Sequence, residues 1–538
     1  MLQAACRRSC WPVAAVHEHP AKLTPRQRRL QKQRKQWKQQ KQQQRQQQTP
    51  PPPLPPLPPA DERRPHQGLG TPDAAASLQL ECPHFDSCSG CTLDRELERP
   101  PLLADAERFF AEAGAVHLKL HSGRSQRWRM RARLAVRQGP CGQPAIGLFE
   151  EGSHSVTPIP ACTVHHPAIN EAVQLVHEAV AACRITPYDE ASGSGQLRYL
   201  QLTAVVAAPG AGQPAAVQLV LVWNCQPGDS QEGRRLQAFA DHLWRAGQLR
   251  SDGTRLLHSI WANFQPERTN TILGPDWRLL HGEPWAWARL GGADICFGPG
   301  SFLQANFEAM GGALAAMQRH VPVGATITDL HAGVGTIGLS LAATRAPRWV
   351  EFVEVNGQGL PPFQQSAARL RQRWRLGEAH CSCSVAGSSE EEERPPGSGS
   401  ASEDGSSGSE DCPADDSRMA PPPALEYHVA AAGSDPARWC QGADVVVLDP
   451  PRKGLEPELL HWLCSPAAGD AGVHRLLYLS CGWPALKRDA AAVLASGHWR
   501  LRHAECFLFF PGSDHIETLT VWDAAGSSGS SDWSLASD

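Results

Sequence analysis

Cys481 and Asp449 have the surroundings that point most directly to chemistry. Cys481 ends the apolar run Leu476-Leu477-Tyr478-Leu479-Ser480 and is followed by Gly482-Trp483-Pro484. Asp449 ends a second apolar run and opens Asp449-Pro450-Pro451-Arg452. A thiol and a carboxylate at the carboxyl ends of parallel strands stand where open α/β sheets bind and transform their ligands. Cys reacts through its thiolate, so such a position suits a nucleophile. Free Cys is also a common core residue, but a Ser-Cys-Gly-x-Pro turn is a poor place for filler.

Other constellations carry distinct chemistry. Asp329-Leu330-His331-Ala332-Gly333-Val334-Gly335-Thr336 follows a strand and opens a helix. Glycines there let the backbone approach a ligand, and the helix N-terminus favours an anion. About twenty residues on, Glu354 ends the next strand, where an acid accepts hydrogen bonds from ribose hydroxyls. Together they indicate a nucleoside-bearing cofactor, either a nicotinamide dinucleotide or S-adenosylmethionine. Cys82, Cys88 and Cys91 form C-x5-C-x2-C, with Cys162 further on. Closely spaced thiolates suit an iron–sulfur cluster or zinc. Arg124, Arg127, Arg129, Arg131 and Arg133 surround Trp128. On a strand they would present one charged face to an RNA backbone, with Trp128 free to stack on a base; a solvated strand face has the same pattern. In Asp514-His515-Ile516-Glu517-Thr518, either Glu517 or His515 stands at a strand entrance as a candidate general base.

The elements that must hold these residues follow from periodicity. Trp128–Val136 alternates as a half-buried strand. Gln196–Val206 and Ala216–Trp223 form a hairpin pattern, and Asn170–Cys183 and Arg234–Ala246 are helical. Residues 80–300 are therefore expected to form an α+β domain. From 301 to 525 the pattern changes to buried strands followed by helices, the rhythm of a doubly wound parallel sheet. Its strands are expected at Ala325–Leu330, Trp349–Glu354, Asp444–Leu448, Arg475–Leu479 and His515–Trp522.

Of 538 residues 17 are Cys, and the net charge of −4 excludes a global basic signature. The cysteines, without a clear secretory signal, argue for a reducing compartment. Residues 1–79 read as a disordered basic and Pro-rich region, with Met1–Val16 basic and free of acids like an organellar transit peptide. Residues 386–424 read as a disordered acidic insertion in a surface connection, and 526–538 as a flexible tail. No apolar run approaches the length of a membrane span.

In this order the motifs resemble the RNA uracil-5-methyltransferases. The resemblance covers Glu81 to Trp522 less the acidic insertion. It rests on the four cysteines, Ser301-Phe302-Leu303-Gln304-Ala305-Asn306, Asp329–Thr336, Asp449-Pro450-Pro451-Arg452-Lys453-Gly454, Ser480-Cys481-Gly482 and His515-Ile516-Glu517-Thr518. It looks most like the iron–sulfur branch of plastid-bearing organisms, which has Cys-Gly-Trp in the nucleophile loop. The resemblance implies a Rossmann-like methyltransferase domain preceded by a smaller α+β iron–sulfur and RNA-binding domain. It implies Cys481 as nucleophile and Glu517 as general base. Gln304, His331, Glu354 and Asp449 fall at S-adenosylmethionine-contact positions, and Cys82, Cys88, Cys91 and Cys162 match the ligands of a 4Fe–4S cluster. His331 departs from the usual Tyr, and Gly482-Trp483 from the commoner Asn-Pro. The implied substrate is tRNA or rRNA, the implied form a monomer, and the expected location a chloroplast or another organelle. A non-catalytic RNA-binding or RNA-folding factor on the same scaffold is the alternative, against which the intact Cys481 and Glu517 speak.

Overall fold

A computed structural model describes residues 79–114, 118–139, 142–206, 215–247, 250, 253–378 and 421–525. The transit-peptide reading, the basic and Pro-rich region, the C-terminal tail and nearly all of the acidic insertion lie outside them. The insertion ends earlier than 424, because Ala424 already begins a strand. No helix among the described residues is long and apolar enough to cross a membrane.

The described residues first form α1 (Pro101–Glu112) and β1 (Lys119–His121), which join the larger sheet below. A seven-stranded sheet follows, made of β2 (Arg131–Gln138), β3 (Pro144–Phe149), β4 (Val156–Pro158), β5 (Leu197–Val205), β6 (Ala216–Trp223), β7 (Leu257–Phe264) and β8 (Asp276–Gly282). Its order is β4-β3-β2-β5-β6-β7-β8, antiparallel except for β6 and β7. Helices α2 (Pro167–Ala182) and α3 (Ser230–Ala246) cover it. The Asp229 side chain caps α3 by accepting from Gln231 and Glu232 N–H groups, which satisfies donors that a helix start leaves open. Leu236, Phe239, Ala240 and Leu243 then recur at helical spacing and are buried in one stripe.

Next come the hairpin β9 (Ala286–Leu290) and β10 (Ala293–Phe297), α4 (Phe307–Arg319), β11 (Thr326–Leu330), α5 (Thr336–Arg345), β12 (Trp349–Glu354) and α6 (Leu360–Arg375). After the undescribed insertion come β13 (Ala424–Val429), β14 (Val445–Leu448), α7 (Pro457–Leu463), β15 (Arg475–Ser480), α8 (Trp483–Ser496), β16 (Trp499–Phe507) and β17 (Glu517–Ala524). The sheet order is β1-β16-β17-β15-β14-β11-β12-β13. β13, β12, β11, β14 and β15 run parallel, and β17 is antiparallel to both its neighbours. This is the doubly wound, Rossmann-like arrangement expected from the sequence.

Alternate residues of β14 feed opposite cores. Val445 and Val447 face one cluster, while Val446 and Leu448 face the other. The first core also receives the β9–β10 hairpin, and the second receives Leu103, Ala106 and Phe110 of α1. Trp483 at the start of α8 packs against Phe109 and Phe110 and donates its indole N–H to Asp105 at 2.8 Å. Three pieces drawn with residues 80–300 from the sequence thus belong with the Rossmann-like sheet: α1 and the β9–β10 hairpin pack on it, and β1 extends it.

Candidate active site

β15 and β17 pair antiparallel with Ser480 opposite Thr518. The ladder ends there, with Cys481 one residue past Ser480 and Glu517 one residue before Thr518, and the Glu517 carboxylate acts on the Cys481 thiol. Glu517 is 2 % exposed, and its Oε1 is buried without a hydrogen-bond partner. Burial, and then the Asp449 carboxylate, hold its pKa well above the usual range, against a smaller opposing effect of Arg452. Asp449 is likewise pushed upward by burial, offset by His331. The Cys481 thiol is pushed up to about 11 by burial, with Glu517 and Asp449 adding to the shift and Arg452 opposing it. A thiol, two carboxyls and one exposed guanidinium therefore act on one another at one end of the strands.

Backbone contacts fix this group. A Cβ at Gly482 would collide with the carbonyl of Arg452, so the loop after Cys481 lies directly on the Asp-Pro-Pro-Arg loop. Fully buried Asp489 of α8 ties β15 to the residue that follows the Asp-Pro-Pro-Arg-Lys-Gly run. Its Oδ2 accepts from the Tyr478 hydroxyl at 2.9 Å and from Leu455 N–H at 3.0 Å.

The glycine loop forms the adjoining wall. Gly333 and Gly335 take positive φ of 58° and 82°, as does His331 at 63°. His331 Nε2 lies 2.9 Å from Glu456 Oε2, while its Nδ1 is buried without a partner. Glu354 Oε2 accepts from Gly333 N–H at 2.9 Å, and the Tyr427 hydroxyl donates to the Gly333 carbonyl at 2.7 Å. Asp329, missed as a candidate contact from the sequence, is 1 % exposed. Its Oδ2 accepts from Gly338 N–H at 2.8 Å and its Oδ1 has no partner. Burial pushes Asp329 up to about 8, with Asp449 and Glu354 adding to the shift. Glu354, Asp329, Asp449, Glu517 and Cys481 thus form a chain of mutually sensed groups, which His331 joins through Asp449.

Gln304 is partly buried in the loop that enters α4. That loop is anchored by Met130 N–H donating to the Ala305 carbonyl at 2.6 Å. Asn306 Nδ2 donates to the Phe509 carbonyl at 3.2 Å, in the segment leading to Glu517. His515, the other candidate base, is exposed at the end of that segment.

Cys82, Cys88, Cys91 and Cys162 line one cavity with Arg129 and His165. Burial pushes the Cys91 thiol up to about 12, with Cys162, Cys88 and Cys82 adding to the shift. Burial lowers the pKa of Arg129, while Cys91, Cys162 and Cys88 raise it. A guanidinium interacting with three of the four sulfurs suits a site that carries thiolate charge, and His84 and His165 line the same cavity.

The charged-face reading of the arginine strand is corrected here. Arg131 is 8 % exposed, and its guanidinium donates to the carbonyls of Ser301 and of Pro299, the latter at 2.9 Å. Arg129 faces the thiols, and Trp128 is 3 % exposed and packed against Phe510, so it offers no stacking platform. Arg124 and Arg133 remain at the surface, paired with Glu308 at 2.5 Å and with Gln201 at 2.7 Å. The expected half-buried strand is buried at six of its eight positions, and backbone carbonyls and sulfurs take up charge that sequence alone assigns to solvent.

No protein-family model matches the chain. An uncharacterized RNA methyltransferase of Protochlamydia amoebophila is 34% identical over 451 residues, spanning 82% of this chain and 97% of that protein. Another, from Geobacter sulfurreducens, is 26% identical over 472 residues, spanning 84% and 78%. Among solved structures, the Pyrococcus abyssi tRNA (uracil-54, C5)-methyltransferase in complex with S-adenosyl-L-homocysteine shares the fold. It has a TM-score of 0.51 at 18% identity, over 77% of this chain and 81% of that one. By its similarity along most of both chains to the Protochlamydia protein, the chain belongs to the RNA methyltransferases.

Proposed function

We propose that the protein methylates C5 of uracil in tRNA or rRNA, with Cys481 as nucleophile and Glu517 as general base. The observation that carries this reading is the end of the β15–β17 ladder, from which Cys481 and Glu517 follow by one residue each, the thiol acted on by a buried carboxyl with an unpartnered oxygen. Uracil C5 is a weak nucleophile. When Cys481 Sγ bonds to C6, the C5–C6 π electrons move onto the carbonyl at C4 and leave an enolate. Its C5 can then take a methyl group. Glu517 removes the remaining C5 proton, the C5–C6 double bond re-forms, and the Sγ–C6 bond breaks to free the thiolate. Covalent catalysis of this kind splits one hard step into easier ones.

S-adenosylmethionine would supply the methyl as a sulfonium substituent, held by Gln304, His331, Glu354 and Asp449. The unpartnered Asp329 Oδ1 and His331 Nδ1 beside the left-handed glycines fit a polar nucleoside ligand at that wall. The four converging cysteines fit a 4Fe–4S cluster, which would cross-link the 82–91 loop to Cys162. With the Cys-Gly-Trp loop, this supports the iron–sulfur, plastid-type branch, while the organellar location rests on the basic, acid-free Met1–Val16 segment.

The test uses undermodified RNA and the purified full chain. Cys481→Ala should lose methyl transfer, and Glu517→Gln should accumulate an RNA–protein adduct on denaturing gels. Full turnover by Cys481→Ala would overturn the reading.

A further inference from the structure

A second cluster of ligand-type side chains lies outside the candidate active site, where β1, β16 and the end of α4 meet. His503 and Glu505 are alternate residues of β16 and so share one face. His320 follows α4 as its C-cap and is 4 % exposed, yet neither of its ring nitrogens has a hydrogen-bond partner. One ligand atom from each of His320, His503 and Glu505 lies within 4.8 Å of the other two. The His320 and His503 rings are 4.8 Å apart, and His503 Nε2 lies 2.6 Å from Glu505 Oε1. His121 of β1 hydrogen-bonds the other oxygen, Glu505 Oε2, and stacks on Phe507 at 4.6 Å.

A buried imidazole with two idle nitrogens is an expensive arrangement unless a ligand meets them. We propose that His320, His503 and Glu505 form a binding site for a divalent transition-metal ion of the zinc class, with the fourth position left to water. Two imidazoles and a carboxylate are a known zinc donor set. Ligand atoms around zinc lie roughly 3.4 Å apart. The three groups therefore need to draw in by roughly 1.4 Å at most, within reach of side-chain rotation.

The electrostatics suit a cation. Glu505 is 1 % exposed and is met by His503, His121 and Arg319, while both ring nitrogens of His320 stand open to a ligand. The C-terminal end of α4 also favours positive charge. Two arginines stand nearby. Arg475 is already paired with Asp523 at 2.7 Å while it donates to the His320 carbonyl at 2.8 Å. Arg319 meets Glu505 Oε1 at 3.0 Å with about half of its side chain exposed (48%), so it is free to swing outward. The proton between His503 and Glu505 leaves as the metal enters. His121, on the far carboxylate oxygen, orients the ligand as outer-shell partners do.

The test equilibrates the full chain with buffered free Zn2+ and counts bound metal, comparing wild type with His503→Ala and Glu505→Gln. His503 is a third exposed (35%), so its removal leaves the core packed. Wild type should hold one zinc equivalent more than either variant, since the cysteine site is unchanged in all three. With Co2+, the extra equivalent should show ligand-field bands without thiolate charge-transfer absorption. Equal counts in the three proteins, or an extra equivalent that carries thiolate absorption, would overturn the proposal.

Discussion

Thr92 donates its backbone N–H to the carbonyl of Gly512 at 2.7 Å, and Leu93 donates to the same oxygen at 3.0 Å. A Cβ on Gly512 would stand 3.6 Å from Cys91 Sγ. The cysteine loop is thus stapled to the segment that leads into Glu517. Phe510 in that segment packs on Trp128 and lies under the Arg129 guanidinium. Loosening the cysteine loop should therefore loosen the approach to the candidate base. In Cys88→Ser, amide hydrogen exchange across Phe510–Ile516 should quicken roughly tenfold, equal to about 1.4 kcal/mol of local opening. Unchanged exchange there would separate the two loops functionally.

The buried carboxyl at 517 has a stability consequence with a definite sign. Its folded-state pKa is raised by burial and by Asp449. The unfolded chain releases this proton at a lower pH than the folded protein does. The group's contribution is therefore fully present below the unfolded pKa and is lost as pH rises toward the folded value. Glu517→Gln removes that dependence. It should be more stable than the parent at pH 8 by about 0.5–2 kcal/mol, in keeping with the usual trade between site chemistry and stability. The difference should shrink toward pH 4, as read by urea denaturation at both pH values.

Four of the parallel strands, β11, β12, β14 and β15, were legible because apolar or β-branched residues dominate them and a turn with glycine or proline follows. Parallel β13, with Glu426 and His428 inside it, was not. Trp349–Glu354 matches the expected span at both ends. The Rossmann-like core followed from that rhythm. β16 escaped notice because Arg500, Arg502, His503 and Glu505 interrupt its apolar pattern, and its partner β1 lies far back in the chain. The placement of the candidate residues at strand ends was readable from the motifs. The β15–β17 register, the unpartnered oxygen of Asp329 and the buried role of Arg131 were not, since each depends on distant backbone.

That role of Arg131 separates structure from RNA binding. Its guanidinium and the Gln201 amide together satisfy carbonyls of the 299–301 turn, which leads into the Gln304 loop. Arg131→Met would leave the Ser301 carbonyl without that donor. An unmet buried group costs about 1–3 kcal/mol. Stability in urea should fall by that amount, with RNA affinity in the folded protein unchanged. A selective loss of RNA affinity at full stability would instead restore the charged-face reading.

Arg452 is the exposed cation that opposes the upward shift of the Cys481 thiol. Replacing it should leave the carboxylates at 517 and 449 unopposed, so that less thiolate forms at a given pH. In Arg452→Ala, alkylation of Cys481 by iodoacetamide at pH 8.5, followed by peptide mass spectrometry, should be several-fold slower. The gap should narrow as pH approaches about 11, where the parent thiol is half ionised. Equal rates at pH 8.5 would remove Arg452 from the electrostatics of the nucleophile.

Gly482 tests how closely the nucleophile must be placed. Its φ of −118° is open to any residue, so backbone strain is not the reason for glycine. The reason is space, since a Cβ would drive into the carbonyl and Cα of Arg452. Gly482→Ala must part the Cys481 loop from the Asp-Pro-Pro-Arg loop while leaving the sheet below intact. A misplacement of about 1 Å at a reacting atom costs on the order of 100-fold in rate. Methyl transfer should fall by about that factor, with a much smaller change in the urea midpoint. Activity within twofold of the parent would show that the two loops separate without moving the thiol from its station beside Glu517.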